Sequence, residues 1–94
     1  MADDGSSLPI TFSNVTGTQG PFKLSGGTFG IVIVDIEAKA PMIELQILAG
    51  DQKTWCCVAD LTNQSYSEVH CIPGTYQLQI QNITGVYVTI DQIL

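Results

Sequence analysis

The sequence predicts an all-β fold: a single antiparallel β-sandwich or small barrel, jelly-roll or immunoglobulin-like, of about eight short strands. Apolar residues alternate with polar ones at period two along most of the chain, and no stretch repeats at the period of an amphipathic helix. β-branched and aromatic residues gather in short runs, which suits a pleated, half-buried surface. Between the runs stand Gly, Pro, Asn, Ser and Thr, the residues that turns use. The 94 residues allow one domain, 8–94, preceded by an acidic, polar arm over 1–7 that is expected to be flexible.

Each element has its own reason. Leu8-Pro9-Ile10-Thr11-Phe12-Ser13 alternates, and Pro9 places it at an edge or at a strand start. Asn14 to Gly20 reads as a turn-rich loop, and Leu8 to Gly20 as a segment able to extend from the body. Phe22-Lys23-Leu24 is a short strand stopped by Ser25-Gly26-Gly27. Phe29 to Ile36 is the most apolar run, and its lack of alternation predicts a central strand covered on both faces. Glu37 to Pro41 breaks it. Ile43, Leu45 and Ile47 then point one way, with Glu44 and Gln46 the other. A turn over Ala49 to Lys53 leads into Trp55-Cys56-Cys57-Val58, and Tyr66 to Ile72 forms the next strand. Pro73-Gly74 predicts a turn with positive φ at the glycine. Tyr76, Leu78 and Ile80 alternate with Gln77, Gln79 and Gln81; after a turn at Asn82 to Gly85, Val86, Val88 and Ile90 alternate with Tyr87, Thr89 and Asp91.

Charge narrows the function. Three lysines and no arginine face nine acidic residues, for a formal net charge of −6. A nucleic-acid partner needs a basic footprint, and an anionic membrane surface attracts basic segments, so both are disfavoured as partners. No apolar run reaches the roughly 20 residues of a membrane helix. The acidic N-terminus lacks the basic and apolar regions of a secretory signal, so the chain reads as soluble, with reduced thiols. Charged residues are only 13% of the chain, against an average near 25%. Exposed faces built from neutral polar groups, or covered by a partner, account for that shortage.

Residues with chemistry to offer are few. Cys56, Cys57 and Cys71 are odd in number, so one thiol is free whatever the others do. A zinc site with His70 is disfavoured, because neighbours on a strand point to opposite faces and Cys56-Cys57 and His70-Cys71 are both such pairs. Small buried apolar cysteines are the preferred reading, ahead of a cross-strand disulfide from Cys71 to Cys56 or Cys57. His70 reads as a surface histidine beside Glu68, which shares its face. Asp35 with Glu37, and Asp60 with Asn63, are weak calcium patterns; capping of nearby backbone is the stronger reading for the second pair. The sequons at Asn14, Asn63 and Asn82 sit in turn-rich stretches, where these residue types gather anyway. Tyr76 and Trp55 are expected in the core, and Tyr87 is exposed by phase. No catalytic residue, cofactor or metal is assigned. The feature that points to a role is a neutral polar row, Gln77, Gln79 and Gln81, extended by Gln46, which can bind a partner without burying charge.

Gly26-Gly27-Thr28-Phe29, Ile43-Glu44-Leu45-Gln46, Asp51 before Trp55, Pro73-Gly74-Thr75-Tyr76 and Gly85-Val86-Tyr87 follow one another in an order with a parallel elsewhere. Over residues 8–94 the chain resembles small β-sandwich structural proteins of tailed bacteriophages that decorate or cement capsids. It departs from that pattern at Glu37 to Pro41, where related chains carry a glycine-rich loop, and at Gln77, where they carry a basic residue. The resemblance implies a non-enzymatic virion protein on the capsid surface, made in the host cytoplasm. Its partners are then the major capsid protein and further copies of itself, often as trimers. On that reading Leu8, Ile10, Phe12 and Phe22 contribute to a subunit or capsid interface, together with the glutamine row, and the arm orders on binding. The alternatives are a tail or fibre component, or an extracellular domain, with Tyr87 touching a glycan.

Overall fold

Period-two segments become strands wherever one face can be buried. The computed structural model describes residues 8–62 and 64–94, with side chains described in those spans except at 35–41 and 82–84. The arm at 1–7 and Asn63 lie outside the described residues, as do the side chains of Asp35, Glu37 and Asn82. The strands are β1 (Ile10–Val15), β2 (Gln19–Leu24), β3 (Gly27–Leu48), β4 (Trp55–Asp60), β5 (Tyr66–Cys71) and β6 (Gly74–Gln92). All pairings are antiparallel.

The long strands β3 and β6 pair with each other and pass together from one sheet to the other, so the chain supplies eight strand segments in two sheets of four. The first sheet runs β1, then 85–92 of β6, then 27–35 of β3, then β5. The second runs β2, then 74–81 of β6, then 42–48 of β3, then β4. Counted along the chain, the first segment therefore pairs with the eighth, the second with the seventh, the third with the sixth and the fourth with the fifth. This nesting is the jelly-roll order. Among the described residues nothing pairs β1 with β2 or β4 with β5, so the body is a sandwich and not a closed barrel.

The expected break at Glu37 to Pro41 and the expected turn at Asn82 to Gly85 are thus neither. Both lie inside continuous strands, at register shifts between Asp35 and Met42 where the paired strands cross the corner. Extra residues at a bulge increase bend and twist, which is how strands change sheets. Ile10 to Val15 is the edge strand that Pro9 predicted, paired with β6, so Leu8 to Gly20 does not extend from the body, and the expected loop at Asn14 to Gly20 shrinks to the residues between Val15 and Gln19. Gly74 has no positive φ and opens β6 instead of closing a turn. Among the glycines, positive φ falls at Gly20 (133°), Gly26 (100°) and Gly27 (123°), and a Cβ on Gly27 would run into the Gln92 amide and the Leu94 carbonyl oxygen.

One core lies between the sheets. Phe29, Ile31 and Ile33 of β3, Val69 and Cys71 of β5, and Val86, Val88 and Ile90 of β6 face Phe22, Leu24, Ile43, Leu45, Leu61, Tyr76, Leu78 and Ile80. Phe22, expected at an interface, is buried among them, and Leu8, Ile10 and Phe12 pack half-buried against the same cluster. The Phe12 and Phe22 rings sit 5.8 Å apart and tie β1 to β2 across the sandwich. Those four residues close the core, so their main work is packing. Trp55 is only half-buried and lies outside the core cluster, because it opens edge strand β4 opposite Leu48.

Tyr76 is the one tyrosine of the core, and its hydroxyl donates to the Ile72 carbonyl at 2.6 Å. Burial, and then the neighbouring Cys71 thiol, push its phenol up from the ordinary 10.0 to about 12. The folded state therefore holds this proton longer than the unfolded chain does. Its contribution is whole below pH 10 and is lost as the pH rises toward 12. Denaturant midpoints should fall across that window, and more steeply in the wild type than in Tyr76→Phe.

Candidate functional site

Each sheet has one face in water, and the two outer faces differ in chemistry. On the second sheet, pairing sets Gln46 opposite Gln77 and Glu44 opposite Gln79. Gln77 Nε2 donates to Gln46 Oε1 at 2.7 Å, and Gln46 Nε2 donates to Gln79 Oε1 at 2.6 Å and to Glu44 Oε1 at 3.1 Å. Gln46 is 8% exposed, while Gln77 and Gln79 are half-buried and Gln81 is exposed. The glutamine row exists, but its central amide spends its donors and its acceptor within the row. What remains open to a partner is the rim, with Gln81, Glu44 and the opposite edges of Gln77 and Gln79.

Cys57 lies across from Gln46 on this face, and Cys56 across from Ile47. Both are exposed, contrary to the expectation of buried thiols, while Cys71 is buried as expected. The cause is the pairing of β4: Leu45 faces Ala59 and Gln46 faces Cys57, so Val58 is an extra residue bulged out of an edge strand. All three thiols are free, which removes the disulfide reading. Slight desolvation beside the sheet, followed by the charges of Glu44 and Asp60, raises the Cys57 thiol above its ordinary value.

The first sheet offers something the sequence reading missed. The register sets Thr11, Thr89, Val32 and Tyr66 in one row across four strands, with Tyr87 opposite Val34 in the next outward row. Val34 is 55% exposed, Tyr66 49%, Val32 45%, Ile93 44% and Tyr87 43%. The strand 27–35 is central but covered on one face only: Ile31 and Ile33 point into the core and Val32 and Val34 into water. Tyr87 is exposed as its phase predicted. Beside this apolar ground Gly30 pairs with both Asp91 and Glu68, and a Cβ at Gly30 would stand 3.0 Å from the Tyr66 hydroxyl. Gly30 thus makes room for the Tyr66 ring to lie flat along the sheet. The Tyr66 hydroxyl donates to Glu68 Oε2 at 3.0 Å, and that carboxylate raises the phenol above its ordinary value. The same phase logic that exposed Tyr87 would have found Val32 and Val34, had β-branched residues on both faces not hidden the alternation.

The remaining polar residues do local work. His70 is exposed as expected, with its Nδ1 3.4 Å from Thr28 Oγ1, while Glu68 on the same strand accepts from the Tyr66 hydroxyl. Asp60 accepts from the Thr62 amide at 3.0 Å, the capping role expected of it. Asp51 accepts from the Thr54 hydroxyl at 2.6 Å and from the amides of Lys53 and Thr54 at 2.9 Å, which holds its carboxyl below the usual carboxylate range and fixes the turn before Trp55. Asn14 sits exposed at φ 53°, at the bulge of β1. Among the described residues no group of three or more His, Cys, Asp or Glu is placed to hold a metal, and no helix is long and apolar enough to cross a membrane.

The fold and these faces define a small jelly-roll sandwich with one glutamine-lined outer face and one that carries a patch of exposed valine, isoleucine and tyrosine among polar residues. No family model, no curated protein and no solved structure matches the chain.

Proposed function

We propose that the chain is a non-enzymatic structural protein of a virion, binding and stabilising a bacteriophage capsid shell as a decoration or cement protein. The observation that carries this reading is the outer face of the first sheet, where Val32, Val34, Tyr66, Tyr87 and Ile93 stand together in water. Contiguous exposed apolar ground on a small domain marks a contact surface, and tyrosine combines apolar area with a polar tip at low entropic cost. A stiff sandwich bearing such a face needs no moving part to attach to a shell. Copies of the chain, displayed many times over one particle, would turn modest single contacts into firm attachment. The major capsid protein is the partner, and the resemblance over residues 8–94 supplies the setting.

The exposed tyrosines favour one alternative, a tail or fibre component, or an extracellular domain, that stacks Tyr66 and Tyr87 on a sugar. Copy number in purified particles, measured by quantitative mass spectrometry, separates the readings. A shell protein is expected on the order of hundreds of copies, a tail component at a few to a few dozen. Absence from the particle sinks the virion reading. On a shell, the double variant Val34→Ser, Tyr87→Ser should fold and lose particle occupancy; full occupancy would move the contact to another face.

A further inference from the structure

The sandwich has four sheet edges, and three of them are broken. The pairing of β1 slips between Phe12 and Val15, that of β2 between Gln19 and Phe22, and that of β4 opposite Leu45 and Gln46. Bulges at an edge twist its unpaired groups away from other chains. Strand β5 is different. It runs in unbroken register from Gly27 opposite Cys71 to Val32 opposite Tyr66, and among the described residues nothing pairs with its other side.

The groups it leaves open can be named. The Ile33 amide donates to the Ser65 carbonyl at 2.9 Å, which fixes the phase of the ladder. Bonded pairs recur every second residue, so Ser67 and Val69 spend their amides and carbonyls on β3. Tyr66, Glu68 and His70 therefore turn theirs outward. Their side chains share the outer face, where Tyr66 is 49% exposed and Ile72, just past the strand, is 63% exposed.

We infer that β5 pairs with β5 of a second copy of this chain, antiparallel about a two-fold axis at Val69, joining two four-stranded sheets into one of eight. In that register Glu68 lies opposite His70 of the partner subunit, and Tyr66 opposite the partner's Ile72. The reciprocal Glu68–His70 pairs give four backbone hydrogen bonds and two carboxylate–imidazole contacts. Glu68 is prepared for this, because Tyr66 occupies only its Oε2. His70 is prepared as well, because Thr28 lies at its Nδ1 and leaves Nε2 free.

Charge also selects the register. A slip of two residues one way puts Glu68 opposite the partner's Glu68, and two the other way takes Glu68 away from the partner's His70 and sets it against the partner's Ile72. Like charges directly opposite on neighbouring strands are destabilising. The bonded stretch ends where the Ile72 carbonyl accepts from the Tyr76 hydroxyl. The dimer rests on the geometry of β5 and not on the capsid reading, so either can fail without the other.

Sedimentation equilibrium from micromolar to millimolar chain should show a species of twice the 10.1 kDa mass. Glu68→Pro removes an outward amide without touching the β3 ladder, and should leave a folded single chain by circular dichroism. His70→Glu sets carboxylate against carboxylate and should also give single chains. Adding Glu68→Lys to His70→Glu restores opposite charges and should bring the dimer back. A wild type that stays at single-chain mass throughout overturns the inference. So does a dimer that persists in folded Glu68→Pro or, should that variant fail to fold, in His70→Glu.

Discussion

Phe29→Ala should lower the melting temperature by roughly 15–25 °C and leave much of the protein unfolded at 37 °C. Phe29 is fully buried, on the central strand of the first sheet, opposite Val69 on one side and Gln92 on the other. Its ring fills the middle of a thin core, so truncation loses the transfer energy of the side chain and leaves a cavity that rigid strands cannot close. Such changes cost about 3–5 kcal/mol. A domain of this size holds only about 5–10 kcal/mol in total, so one substitution takes a large share. Calorimetry of the two chains side by side measures the effect. Phe29→Leu, which keeps most of the volume, should recover more than half of the loss; no recovery would show that aromatic shape, not volume, governs this site.

Gln46→Glu is the second large effect, expected to cost about 2–4 kcal/mol at neutral pH. The change adds no volume. It replaces the amide that donates to Glu44 and Gln79 with a carboxylate, at a position 8% exposed. Two carboxylates then stand where a donor was, and Gln79 Oε1 loses its partner. The loss has a pH signature. Repulsion and burial raise the new carboxyl above its ordinary value, so the folded state takes up a proton that the unfolded chain does not. The deficit is therefore whole above that raised value and shrinks as the pH falls through it. Gln46→Leu should cost less, because Gln77 and Gln79 are half-exposed and turn to water. Urea midpoints across the acid range distinguish the three chains; a pH-independent deficit in Gln46→Glu would argue for lost packing in place of charge.

The parts of the fold that the sequence made legible are those whose reason is local. Tyr76, Leu78 and Ile80, and again Val86, Val88 and Ile90, alternate because one side faces core and the other water, and all six are buried. The turn at Asp51 and the cap at Asp60 are legible because short carboxylates reach nearby amides. Tertiary reasons left no local mark. The corner at Glu37 to Pro41 looks like a chain break, yet β3 continues because β6 bends beside it. Cys56 and Cys57 look like core thiols until the extra residue at Val58 changes their setting. Phe12 and Phe22 look like interface residues because the sequence does not say that β1 and β2 meet across the core. Among the site residues, Tyr87 was readable, and the glutamine row was readable as a row. Val32, Val34 and Tyr66 were not, since an outward face that is itself apolar erases the alternation.

The β3–β6 ladder also sets how fast the molecule can form. Ile47 and Tyr76 are its partners closest along the chain, and Phe29 and Gln92 the farthest. Closing the short loop costs less entropy, so zippering should start at Ile47–Tyr76, stall at the corner and finish at Phe29–Gln92. Contacts this distant in sequence put folding on the millisecond-to-second scale typical of all-β domains. Substitutions near Ile47 should slow folding, whereas those near Phe29 should chiefly hasten unfolding. How long a folded copy survives is then decided at the Phe29–Gln92 end of the ladder, the last part of the zipper to close and the first to open.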